Sequence, residues 1–168
     1  MKYLITGGAG FIGSHLSELL LNSGHTVIAV DNLAVGSENN FKSFNSSQNF
    51  DFVRLDVSNY ELLEKIYSNI DWVFHLAGLA DIVPSIEFPD NYFQTNVIGS
   101  YNIAKLSLEK NVKRTIYAAS SSCYGIPDFF PTPETAKCDP RYPYALTKYL
   151  GEQIFMHWSS VYRLNVLS

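Results

Sequence analysis

An apolar run that breaks into glycines and restarts as a helix leaves this chain few possible folds. Lys2-Tyr3-Leu4-Ile5-Thr6 has strand character, Gly7, Gly8, Gly10 and Gly13 follow, and Phe11 to Leu21 reads as a helix. Gly8, Gly10 and Gly13 satisfy the spacing G-x-G-x-x-G, with Gly7 one position earlier. A second strand, His25 to Val30, ends at the acidic Asp31, at the separation the dinucleotide fingerprint requires. Glycines let the backbone turn sharply and approach a pyrophosphate, whose charge then sits on the unpaired N–H groups of Phe11, Ile12 and Gly13 at the start of the helix. Asp31 is placed to accept hydrogen bonds from ribose hydroxyls. Because a 2′-phosphate there meets like charge, the expected cofactor is NAD rather than NADP.

Composition fits a soluble α/β domain. With 168 residues, 46% hydrophobic and 17% charged, the chain can bury one good core, and we read residues 1–168 as one domain. A net charge of −4 lacks the basic face that nucleic-acid binding uses, and no segment is apolar for long enough to span a bilayer. The N-terminus carries no signal-peptide pattern, and Cys123 and Cys138 are expected to be reduced thiols, which together point to a cytoplasmic protein. The four histidines show no metal-ligand spacing with either cysteine, so no metal site is expected.

Strands and helices alternate along the rest of the chain. Asn32 to Gln48 reads as a loop with a short helix, Phe50 to Leu55 as a third strand, and Ser58 with Glu61 as the capping box of a helix through Tyr67. Asp71 to Leu76 is expected as a fourth strand buried on both faces, Asp90 to Lys110 as one long helix and Val112 to Ala119 as a fifth strand. Ser120 to Pro140 is an irregular loop, Tyr142 to Tyr162 a final helix, and Leu164 to Leu167 opens a sixth strand. This order implies a doubly wound parallel sheet of the Rossmann type, layered α/β/α. Tyr144 and Lys148 share a helix face just after the fifth strand ends in Ser120-Ser121-Ser122, at the carboxyl edge where such sheets bind ligands. Tyr101 and Lys105 have the same spacing but lie well inside the preceding helix, and we read them as helix surface and packing.

At this point the chain resembles the extended short-chain dehydrogenase/reductases, in particular the nucleotide-sugar epimerases and dehydratases. The resemblance runs through Thr6 to Gly13, Asp31-Asn32-Leu33, Asp56-Val57, His75-Leu76-Ala77-Gly78, Asn96-Val97-Ile98-Gly99, Ser120 to Gly125 and Tyr144 to Lys148. It implies cofactor contacts at Gly7, Gly10, Phe11, Ile12, Gly13, Asp31, Asn32, Asp56, Val57, Leu76, Ala77, Gly78, Asn96, Tyr144 and Lys148. It implies catalysis by Ser120, Tyr144 and Lys148, and a substrate pocket faced by Ser121, Ser122 and Ser85. A tyrosine with its ordinary pKa near 10 is a poor base at neutral pH, and a cation a few ångströms away is what makes one useful. The family's 4,6-dehydratases carry an Asp-Glu pair just after the catalytic hydroxyl, where this chain has Ser121 and Ser122, so a UDP-hexose 4-epimerase is the leading expectation. A dehydratase or decarboxylase, and an inactive or stand-alone NAD-binding module, are the alternatives. The resemblance also implies a homodimer built on the two long helices and a sugar-binding domain beyond Ser168. The 168 residues alone are therefore expected not to turn over a nucleotide sugar, and to self-associate through the apolar edge at Leu164 to Leu167.

Overall fold

The computed structural model describes residues 1–168. The strands are β1 (Lys2–Thr6), β2 (Thr26–Asp31), β3 (Phe50–Arg54), β4 (Trp72–His75), β5 (Arg114–Tyr117) and β6 (Val166–Leu167). All five pairings are parallel, in the order β3-β2-β1-β4-β5-β6. The order reverses between β1 and β4, which opens a crevice at the carboxyl ends of those two strands. The helices are α1 (Phe11–Asn22), α2 (Tyr60–Ile66), α3 (Ile82–Glu87), α4 (Pro89–Tyr92), α5 (Gly99–Glu109) and α6 (Pro143–Tyr162).

Register decides which side chains meet which helices. Leu4 pairs with Ile28 on one side and Val73 on the other, and this row faces Leu63 and Tyr67 of α2, Ile103 and Leu106 of α5 and Phe155 of α6 in the main core. The opposite face is covered over β1 to β3 by α1 and by the 3-10 turn Glu38–Phe41, where Phe41 and Phe44 pack on Ala29 and the half-buried Phe50 and Phe52. Over β4 that second face is only partly covered. Val73 and His75 are fully buried whereas Trp72 and Phe74 are half-buried, so β4 alternates and is not buried on both faces as its apolar sequence suggests.

Two local expectations are corrected. The cap of α2 is Asn59, whose side chain accepts from the Leu62 N–H at 3.1 Å. Ser58 is not free to cap, because its N–H and hydroxyl both bind the Asp56 carboxylate. The helix expected over Asp90 to Lys110 is instead α4, a π-helical turn over Phe93–Ile98, and α5. That wider turn leaves the Asn96 carbonyl to accept from the Ser100 hydroxyl at 2.6 Å, and it brings Gly99 so close to Val57 that a Cβ would lie 2.5 Å from a valine methyl. The sixth strand begins at Val166 rather than Leu164. Arg163 ends α6 in the left-handed region (φ 60°), and Leu164 is buried in the core.

Candidate functional site

The glycine turn leaves β1 at the switch point and has no room for side chains. Gly7 adopts φ +69°, and a Cβ on it would lie 2.7 Å from the backbone nitrogen of Ala77, just past the end of β4. A Cβ on Gly13 would run into the Gly7 carbonyl oxygen, so α1 starts against the turn itself. Gly10 precedes α1 without any side-chain cap, and no acidic residue occupies the first helical turn. The first N–H groups of α1 thus face outward with the positive end of the helix dipole behind them, between the exposed side chains of Phe11 and Ile12. This is a cradle for an anion.

A groove runs from this turn across the ends of β1, β2 and β4. Of the residues expected to bind cofactor, Gly7, Gly10, Asp31, Asn32, Val57, Leu76, Ala77 and Gly78 line it, and Ala34, Val35, Gly36, Leu55, Leu79 and Thr95 add walls that the motifs did not mark. Asp31 spends one carboxylate oxygen on the Ala9 N–H (3.0 Å) and the other on the Leu33 N–H (2.8 Å). A carboxylate has about four acceptor positions, so two remain for ribose hydroxyls while the first two fix the glycine turn. Asp56 is not on the groove's lining. It binds the Asn32 side chain (2.7 Å) and Ser58, and although burial raises its pKa, those hydrogen bonds prevail and hold it below the usual value.

The far end of the groove is fixed by buried polar chains. Because the Ser100 hydroxyl donates to the Asn96 carbonyl, it accepts from His75 Nε2–H at 3.0 Å; His75 Nδ1 therefore accepts from the Thr6 hydroxyl at 2.6 Å. Burial, reinforced by the positive charge of Lys148, pushes the His75 pKa down to about 3, so the imidazole is neutral. Asn96 holds Leu79 by both its N–H (2.8 Å) and its carbonyl (3.1 Å) and donates to Thr147 Oγ1 at 3.0 Å. It thereby ties the groove wall to α6 between Tyr144 and Lys148, from a buried position behind the lining.

Of the three residues predicted to act together, two meet here and the third lies one turn further along α6. Ser120 Oγ lies 3.2 Å from the Tyr144 hydroxyl, and the Tyr144 ring is packed edge-on against Tyr92. Lys148 is buried, its Nζ donating to the Ala118 carbonyl at 2.6 Å. Burial pushes its pKa down to about 8, against the opposing pull of Glu152. A Cβ on Gly78 would sit 3.7 Å from Lys148 Nζ, so Lys148 and the groove adjoin. Ser121 is exposed and Ser122 donates its N–H to Ser120 Oγ at 3.2 Å. Ser85 is fully buried in α3 with its hydroxyl bonded to the Ile82 carbonyl, and so points back into its own helix. Cys123 is buried beside Cys138; burial first, then its neighbour, pushes the Cys123 thiol up to about 11.

Residues 3–168 match the model of the NAD dependent epimerase/dehydratase family. The chain belongs to this family. It is 37% identical over 161 residues to a bifunctional UDP-glucose 4-epimerase and UDP-xylose 4-epimerase of Pisum sativum, covering 91% of this chain and 46% of that protein. Among solved structures it superposes with a TM-score of 0.91 and 35% identity on the UDP-glucose 4-epimerase of Thermotoga maritima with UDP-glucose, covering 99% of this chain and 53% of that one. A dTDP-glucose 4,6-dehydratase of Streptomyces venezuelae superposes with a TM-score of 0.93 at 28% identity. The chain spans about half the length of the relatives it matches.

The features that make this member of the epimerase/dehydratase family work as a unit were only partly visible in its motifs. Thr147 ties Asn96 to α6 and Ser100 on α5 holds His75, but both are single hydroxyls in helical sequence, with no spacing that singles them out. The helix α3 was also missed, since Asp81 enters it at φ 79° and Pro84 interrupts any helical pattern around it.

Proposed function

We propose that this chain is the NAD-holding and catalytic part of a UDP-hexose 4-epimerase. The observation that carries the reading is the contact of Ser120 with Tyr144 at the carboxyl edge of the sheet, with the buried Lys148 one turn further along α6, beside a groove whose glycine turn has no room for side chains. NAD suits that groove: Gly7, Gly10 and the start of α1 would hold its pyrophosphate, Asp31 and Asn32 a ribose, and Leu55 and Val57 the adenine. Bound there, it would supply a reversible acceptor for the hydride of carbon 4 of the sugar. Tyr144 removes the proton of the 4-hydroxyl and later restores it. Ser120 holds the same oxygen, and the Lys148 charge favours the phenolate form of its neighbour on the helix.

Epimerisation is favoured over dehydration because elimination of water requires an additional acid and base next to the reacting carbon. The positions after Ser120 offer only the hydroxyls of Ser121 and Ser122. The test is to incubate the gene's own full product with UDP-galactose and follow the products. Interconversion with UDP-glucose is expected; a keto-deoxy sugar nucleotide, or no turnover by protein shown to bind NAD, overturns the reading. The exposed Tyr101, Met156 and Tyr162 on the adjoining helices α5 and α6 supply the surface for the homodimer that completes this proposal.

Cofactor choice gives a second expectation. Asp31→Ala removes a ribose acceptor, removes the charge that repels a 2′-phosphate and frees the Ala9 N–H. Losing one or two hydrogen bonds to a charged group weakens NAD binding by roughly 10- to 100-fold and brings NAD and NADP to similar affinity. Calorimetric titration with both cofactors checks this, and equal affinity in the unmodified chain contradicts it.

A further inference from the structure

Tyr117 closes β5 beneath the catalytic lysine and grips it twice. Its hydroxyl donates to the Lys148 backbone carbonyl at 2.9 Å, and its ring face lies 4.3 Å from Lys148 Nζ. The next residue along the same strand end, Ala118, supplies the carbonyl that Nζ bonds. Room for this arrangement is built into α6: a Cβ on Gly151 would lie 2.7 Å from the Tyr117 hydroxyl. The ring is itself held by His75 at 5.7 Å and Phe155 at 5.1 Å between centroids. We propose that Tyr117 is a positioning residue for the reaction, its aromatic face keeping the buried Lys148 ammonium charged and its hydroxyl fixing the turn of α6 that carries it.

The need for such a residue follows from the surroundings of Nζ. His75 on β4 is neutral and offers no counter-charge, Glu152 stands one turn further along α6, and Tyr144 one turn before. No carboxylate forms an ion pair with Lys148. Burial therefore works against the ammonium, and the negative face of an aromatic ring opposes that without adding a group that competes for the proton. Burial also keeps the Tyr117 hydroxyl well above the ordinary tyrosine range, so it stays protonated and remains a donor to the Lys148 carbonyl.

The proposal rests on the epimerase reading only for the use made of the Lys148 charge, and its test needs neither cofactor nor sugar. The ammonium of Lys148 is titrated by carbon-13 resonance at Cε in the 168-residue chain, the signal being assigned by its loss in Lys148→Arg. Tyr117→Phe keeps the ring and is expected to leave the midpoint within a few tenths of a pH unit. Tyr117→Leu is expected to lower it by about one unit. Pentafluorophenylalanine at position 117 preserves the shape of the ring but reverses the sign of its face, and is expected to lower the midpoint at least as far. This second variant keeps the test sharp should the leucine variant not fold. A midpoint in the pentafluoro variant equal to or above that of Tyr117→Phe overturns the proposal whatever the activity assays give. Absence of epimerase activity in the unsubstituted protein, with the expected titrations intact, would count against the epimerase reading alone.

Discussion

Turnover in the proposed epimerase reaction is expected to fall by about three orders of magnitude when Tyr144 is replaced by phenylalanine, the scale of removing a positioned acid–base group. The ring that packs against Tyr92 is retained, and the single bond lost is the 3.2 Å contact with Ser120, so the fold loses only about 1 kcal/mol. NAD affinity is expected to survive because the glycine turn and Asp31 are untouched. Tyr101→Phe is the control. Tyr101 has the same spacing to a lysine, but it packs edge-on against Trp158 on the helix surface, and its hydroxyl bonds nothing in the catalytic group. Steady-state rates and calorimetric binding on both variants check the expectation, which fails if the two behave alike.

Lys148→Met is expected to abolish turnover and at the same time to stabilise the fold near pH 7. Burial disfavours the charged form of Lys148 and pushes its folded-state pKa down to about 8, below the ordinary lysine value of 10.5. A group depressed in this way carries no penalty when neutral in both states, well above pH 10.5. As pH falls, the unfolded chain takes up its proton first, so native stability is lost between about 10.5 and 8 and the full penalty stands below 8. A shift of that size corresponds to about 3 kcal/mol, reduced by the loss of the bond to the Ala118 carbonyl. Methionine has similar volume and no charge. Its variant is expected to be more stable by roughly 1–3 kcal/mol at pH 7, with the gain shrinking toward pH 10. Urea unfolding at pH 7 and pH 10 measures this, and a less stable variant at pH 7 would mean that the buried ammonium is not a cost to the fold.

The strand and helix alternation was legible because β1, β2 and β4 are short apolar runs separated by glycine and polar turns, and parallel pairing follows from the crossover helices between them. The glycine turn was legible for a steric reason that the structure makes explicit at Gly7 and Gly13. What escaped was set by tertiary contacts. The break in the helix after Tyr92 arises from Asn96 and Gly99 meeting Leu79 and Val57, residues distant in sequence. The partial exposure of Trp72 and Phe74 depends on which face the helices leave uncovered, and hydropathy does not record it. Tyr117 is an ordinary strand aromatic by composition; its role is visible only once α6 has laid Lys148 across its ring.

The central claim is that one NAD molecule spans the glycine turn and the catalytic group. It is tested most directly by titrating the isotopically labelled 168-residue chain with NAD and following backbone amide resonances. The expected result is that the amides of Gly10 to Gly13 and those of Ser120, Tyr144 and Lys148 shift together and saturate at one NAD per chain. Shifts that miss the glycine turn, or that reach the turn and leave Tyr144 and Lys148 unmoved at saturation, would contradict it.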